Sequence, residues 1–167
     1  MFEQLKSYKR ILVTGPQRSG TKIAARMIAA DTGYKYIDET VFSFNEDKFA
    51  KTILAESIVV QCPTMSSVIE YYAEDDTLIV FMFRDLDDIA KSEDRMGWTV
   101  GVYQELYKFG MSVTQARMYR QGGGRTAPLK YELWTGQKTV IKHYQELEYE
   151  SLSAHPLWIP KNQRSYE

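Results

Sequence analysis

A chain of 167 residues with 44% hydrophobic and 26% charged residues has the length and composition of one globular domain, and a single domain over 1–167 is expected. A formal net charge of -1 argues against a global basic field for nucleic acid or an anionic membrane, and the lone Cys62 excludes an internal disulfide or a cysteine-rich zinc site. No apolar run approaches the ~20 residues that span a bilayer, and the polar start Met1–Lys6 has no signal-peptide pattern, so a cytoplasmic protein is expected.

Arg10–Thr14 reads as a first strand, and Thr21–Thr32 as a helix with Ile23, Ala24, Met27 and Ile28 on one face and Gly33 as its stop. Tyr34–Ile37 reads as a short strand, Asn45–Leu54 as a helix, Ser57–Gln61 as a buried strand and Met65–Tyr72 as a third helix. Thr77–Phe83 is the clearest strand, apolar on both faces as in a parallel sheet. Leu86–Arg95 reads as a helix with Asp85 as N-cap and Asp88 at the capping-box position. Helical pattern continues over Tyr103–Met118, breaks at Gln121–Arg125, and resumes over Leu129–Tyr144; Leu147–Leu152 reads as a last strand. Strands alternating with helices predict an α/β fold of three α/β/α layers, with a mostly parallel sheet and right-handed crossovers. Ligands of such folds bind at the carboxyl ends of the strands.

Two segments at such ends carry chemistry. The first is Gly15-Pro16-Gln17-Arg18-Ser19-Gly20-Thr21-Lys22, a glycine-bounded loop between strand and helix. A helix N-terminus there offers unpaired N–H groups and the positive end of the dipole to a phosphate. A nucleoside-triphosphate P-loop places Lys directly after its second Gly. Here Thr21 takes that place, Lys22 follows, and Arg18 sits inside the loop, which points to a different phosphate-bearing donor. The second segment is Arg84-Asp85-Leu86-Asp87-Asp88 through Ser92, where Arg84 leaves a strand and Ser92 follows two helical turns later. Together an Arg and a Ser can hold a second phosphate.

On these residues the chain resembles the sulfotransferases that use 3'-phosphoadenosine 5'-phosphosulfate (PAPS), in a compact microbial or phage-type form. The family's 5'-phosphosulfate motif, Pro-(Lys/Arg)-Ser-Gly-Thr, is matched by Gln17-Arg18-Ser19-Gly20-Thr21 with Pro16 displaced by one residue. Its 3'-phosphate motif, Arg-(Asn/Asp)-x-x-Asp-x-x-x-Ser, is matched by Arg84, Asp85, Asp88 and Ser92. Asp38-Glu39-Thr40 resembles the Glu-Thr pair that carries the base in the tyrosylprotein branch, and Leu147–Leu152 resembles the Tyr-Glu-Asp-Leu strand motif with Ser151 for Asp. The family's last phosphate loop, Lys-Gly-x-x-Gly, has no counterpart, and the tail Lys161-Asn162-Gln163-Arg164 is its expected replacement.

The resemblance implies the sulfotransferase type of P-loop NTPase-like fold and sulfuryl transfer from PAPS to an acceptor hydroxyl of a sugar, a tyrosine or a small alcohol. Adenosine 3',5'-bisphosphate would be released, with no metal required and no nucleic-acid or membrane partner. Gln17, Arg18, Ser19, Gly20, Thr21, Lys22, Arg84 and Ser92 would bind the donor. Arg18 would also neutralise charge on the leaving phosphate, and Glu39 would take the acceptor's proton. His143 and His155 are the alternative bases, with exposure expected for the first and packing in a turn for the second. Two other readings of the residues stand beside this one: a small ATP–magnesium kinase with Asp85 as the metal-holding acid, and a non-catalytic nucleotide-binding or interaction protein on the same fold.

Overall fold

Short apolar runs at regular intervals pair side by side, because each is buried on both faces and its backbone polar groups must bond to a neighbour. The computed structural model describes residues 1–96 and 127–160. Five strands form one sheet: β1 (Arg10–Thr14), β2 (Lys35–Ile37), β3 (Ile58–Gln61), β4 (Thr77–Phe83) and β5 (Tyr144–Glu148). Their order is β2-β3-β1-β4-β5, and every pairing is parallel. Helices α1 (Thr21–Thr32), α2 (Glu46–Thr52), α3 (Leu86–Arg95) and α4 (Ala127–Gln137) flank it.

Alternation along the central strand divides the core in two. Ile11 and Val13 of β1 face a cluster with Ala24, Met27 and Ile28 of α1, whereas Leu12 faces a second cluster with Phe49 of α2 and Trp134 of α4. Sheet and helices are thus stacked as expected of three α/β/α layers. The core side chains of β1, β3 and β4 are almost all fully buried, each stabilising by roughly 1.5–3 kcal/mol relative to exposure. From β1 the chain crosses to β2 on one side, while from β4 it continues to β5 on the other. The chain thus diverges beyond the carboxyl ends of β1 and β4, the place where parallel α/β proteins open a crevice for ligands.

Local signals set most boundaries. Gly33 closes α1 in the left-handed region with φ 71°. Asn45 caps α2 through Lys48 N–H, and Asp85 caps α3 by accepting from Asp88 N–H at 3.1 Å. Three readings need correction. Met65–Tyr72 is two 3-10 turns, Pro63–Met65 and Ile69–Tyr72; Ser66, Ser67 and the β-branched Val68 interrupt the helical run. The helix expected over Leu129–Tyr144 spans Ala127–Gln137, and Thr139 and Val140 follow in a turn. The last strand is Tyr144–Glu148, paired to β4, and Tyr149–Ala154 is a 3-10 segment. An edge strand with one buried residue, Leu147, carries little apolar signal of its own. The expected Tyr103–Met118 helix, the Gln121–Arg125 break and the Lys161–Arg164 tail lie outside the described residues. Among those described, no helix is long and apolar enough to cross a membrane.

Candidate functional site at the carboxyl edge

The loop after β1 is shaped by its glycines. Gly15 has φ 138°, and a Cβ there would lie 2.9 Å from the Met82 carbonyl, so the first glycine lets the loop press against β4. Gly20 is the N-cap of α1 with φ 98°, and a Cβ would strike the Tyr149 ring. As a glycine it supplies no side-chain cap to the first-turn N–H groups of α1. Arg18 itself has φ 67°, a left-handed conformation uncommon for a side-chain-bearing residue. Ser19 is fully buried, and both its N–H (3.2 Å) and its hydroxyl (2.7 Å) donate to the Pro16 carbonyl, so it holds the turn shut.

Arg84 and Ser92 reach this loop from the other motif. Arg18 Nε donates to Ser92 Oγ at 2.9 Å, and Arg84 Nη1 donates to the Arg18 carbonyl at 2.8 Å. The two segments, 66 or more residues apart in sequence, form one network across the mouth of the crevice. The Arg84 guanidinium lies 4.2 Å from the Tyr149 ring centroid in a cation–π contact. Its Nε is buried with no hydrogen-bond partner among the described residues, leaving a charged donor poised for an acceptor. Tyr131 of α4 fixes the strand exit: its hydroxyl donates to the Arg84 carbonyl at 3.0 Å and accepts from the Arg84 N–H at 3.1 Å, while its ring stacks on Phe83 at 5.1 Å.

Glu39 stands on the opposite side, in a one-turn 3-10 segment (Glu39–Val41) after β2. Asp38 caps that segment through Thr40 N–H and accepts from the Tyr36 hydroxyl. Burial opposes ionisation of Asp38, but Thr40 N–H, the Tyr36 hydroxyl and the Lys22 ammonium outweigh it and hold the carboxyl at about 2. Lys22 is half exposed and pairs with Asp38 at 3.2 Å, so it braces the Glu39 segment from outside. Burial pushes the Glu39 carboxyl up from its ordinary value, with Gln17, Gln61 and Lys130 acting the other way. Its Oε2 is buried and has no hydrogen-bond partner among the described residues. Gln61, at the end of β3, accepts from Glu39 N–H and donates to Thr21 Oγ1, both at 3.3 Å, joining the segment to the start of α1.

The expected donor-binding residues thus separate. Gln17, Arg18, Ser19, Gly20, Thr21, Arg84 and Ser92 gather at the crevice, with Glu39 beside them, whereas Lys22 faces Asp38. The histidines lie towards the other edge of the sheet. The His143 carbonyl accepts from Ile79 N–H, and its ring lies against Tyr8. His155 is buried and bonds Asp31, at the far end of α1, at 3.1 Å. Neither stands beside Arg18.

Gln61, Lys130, Tyr131 and Tyr149 were not singled out from the sequence as members of the site. A polar residue ending a buried run marked Gln61, and the Leu147–Leu152 motif contained Tyr149. Lys130 and Tyr131 sit in an ordinary helical pattern that carries no such mark. Among the described residues, no group of three or more His, Cys, Asp or Glu side chains is gathered to hold a metal ion.

Fold and site together define a class: a parallel α/β protein with a cationic, glycine-bounded loop at the carboxyl edge of its central strand. Among known proteins, no family model matches the chain, and no curated sequence matches it either.

Proposed function

We propose that this protein is a sulfotransferase, moving a sulfuryl group from PAPS to an acceptor hydroxyl on a sulfotransferase-type P-loop-like fold. The observation that carries this reading is the network Arg84–Arg18–Ser92, which joins two phosphate-type motifs at one crevice. Two arginines, a serine hydroxyl and the N-terminus of α1, which has no side-chain cap, suit a donor with separated phosphate groups.

In this reading the first-turn N–H groups of α1 and the Thr21 hydroxyl bind the 5'-phosphosulfate. Arg84 and Ser92 bind the 3'-phosphate, the group that distinguishes this donor from ATP. Transfer is an in-line displacement in which positioning and charge stabilisation supply most of the acceleration. The bond from sulfur to the bridging oxygen breaks, and that electron pair leaves on the 5'-phosphate beside Arg18. The acceptor oxygen forms the new bond to sulfur, and its proton passes to Glu39. Burial of Glu39 raises its affinity for that proton, the direction a general base needs.

Thermal unfolding with adenosine 3',5'-bisphosphate, compared with ATP plus magnesium, tests the reading. A ligand at ~100 times its dissociation constant stabilises by about 2.7 kcal/mol. A shift with the bisphosphate alone, lost in Arg84→Ala or Ser92→Ala, followed by sulfuryl transfer to a hydroxyl panel, is the expected result. A shift with ATP–magnesium alone would replace the reading with a kinase. Bisphosphate binding without transfer to any acceptor would replace it with a nucleotide-binding protein.

A further inference from the structure

Two groups on the Glu39 side of the crevice have incomplete bonding. Lys130 is the fourth residue of α4, a helix that is otherwise anchored by Trp134 in the core and Tyr131 on the β4 exit. Among the described residues its ammonium makes one hydrogen bond, to the Pro63 carbonyl at 3.3 Å, and forms no ion pair with a carboxylate. Pro63 follows β3 by two residues, and Gln61 at the end of β3 bonds the Glu39 backbone. Lys130 and the Glu39 segment thus both bond to residues at the end of β3, and their charges act on each other; the Glu39 Oε2 is buried without a partner among the described residues. An ammonium with spare donors beside a buried carboxylate oxygen favours the ionised carboxylate by charge, without occupying it by a direct bond.

We propose that Lys130 is a positioning residue for Glu39: its ammonium keeps the buried carboxylate charged and ready to receive a proton from a bound hydroxyl. This rests on the reading of Glu39 as the base. Three further titratable groups among the described residues act on or lie near the pair. Asp38 adjoins Glu39 in sequence, disfavours its charge and is itself paired with Lys22; Glu93 of α3 faces Lys130; the buried Cys62 thiol lies near Glu39. The Lys130 charge favours ionised Glu39, against burial and Asp38. Burial lowers the tendency of Lys130 to hold its own proton, and Glu39 and Glu93 counter that. The lysine and the carboxylate thus sustain each other's charge in a partly dry site.

The test uses the whole chain with Lys130→Met, close in length but uncharged, and Lys130→Arg, which keeps the charge. The Glu39 side-chain carboxyl is titrated by carbon NMR, assigned with Glu39→Gln, and the pH profile of sulfuryl transfer is recorded alongside. In Lys130→Met the Glu39 titration and the acid limb of the rate both move to higher pH, while affinity for adenosine 3',5'-bisphosphate stays as in wild type. Lys130→Arg restores both. Each pH unit of displacement is a tenfold loss of rate on that limb. An unmoved Glu39 titration in a folded Lys130→Met protein overturns the pairing. A titration that moves while the acid limb stays in place overturns the positioning role. Should wild type transfer no sulfuryl group at any pH, the base assignment of Glu39 falls and the positioning role with it; a titration that still moves then shows that the failure lies in the functional reading and not in the pairing.

Discussion

The two sides of the crevice are built on different plans. On the arginine side the groups hold one another: Ser19 closes its own turn, Arg18 bonds Ser92, and Arg84 bonds the loop carbonyl through Nη1 and covers Tyr149, with only its Nε left over among the described residues. On the Glu39 side the segment is braced from behind by Asp38, Lys22 and Gln61, while the Glu39 carboxyl and the Lys130 ammonium keep spare bonding capacity. A network of charge-assisted bonds fixes geometry before any ligand arrives, which under the proposed function suits a large polyanionic donor. A half-buried carboxylate with a spare oxygen costs stability, and such groups are retained where chemistry needs them.

That contrast can be broken by substitution. The largest effect is expected at the Glu39 side during turnover. Glu39→Gln should lower kcat by roughly 10²–10⁴ with donor-product affinity unchanged, measured by steady-state kinetics and calorimetric titration; wild-type turnover across pH would remove Glu39 from the mechanism. Arg18→Ala follows, with a loss of about 10²–10³ in kcat, the usual cost of removing one donor to developing charge, and a smaller loss in bisphosphate binding. If binding falls more than turnover, Arg18 serves the ground state.

Gly20→Ala should destabilise the arginine side by about 2 kcal/mol or more, because the left-handed backbone and the Tyr149 ring both oppose a Cβ. Denaturant unfolding reads it, and Tyr149→Ala in the same chain should relieve the contact but not the backbone cost. Tyr131→Phe removes the hydroxyl that bonds both Arg84 backbone groups and should cost about 1–2 kcal/mol; bisphosphate affinity reports whether Arg84 moves.

The smallest effect is in acid. Burial opposes ionisation of Asp31, but the N-terminal ammonium, Phe2 N–H and His155 hold its carboxyl at about 2, like that of Asp38. Both folded values lie below the ordinary 3.8, so their contribution is complete above about pH 4 and is lost as pH falls towards 2. The urea midpoint should drop between pH 5 and 2.5, and less so in Asp31→Asn and Asp38→Asn, each of which starts lower.

Much of this arrangement could be read from residues alone. The apolar runs of β1, β3 and β4, the caps Asn45 and Asp85 and the stop at Gly33 are local signals, strong because burial, capping and backbone conformation act within a few residues. β5 was misplaced because an edge strand with one buried side chain takes its register from β4. Met65–Tyr72 was misread because helical spacing of apolar residues does not reveal the weak helix formers between them.

The glycine loop with Arg18 and the Arg84–Ser92 pair were visible as spaced motifs, since each lies within a short stretch at a strand exit. Lys130, Tyr131 and Tyr149 were not, because a lysine or tyrosine in a helical pattern looks the same whether it meets solvent or a crevice. The sequence by itself determined the alternation of strands and helices, the loop that ends β1 and the two motif arginines, all properties of contiguous residues. The tertiary structure decided that Arg18 bonds Ser92, that Lys22 turns to Asp38 and that Lys130 bonds the Pro63 carbonyl at the exit of β3. Those meetings depend on strand order and on the divergence of the chain about β1 and β4, which bring together residues that no local rule connects.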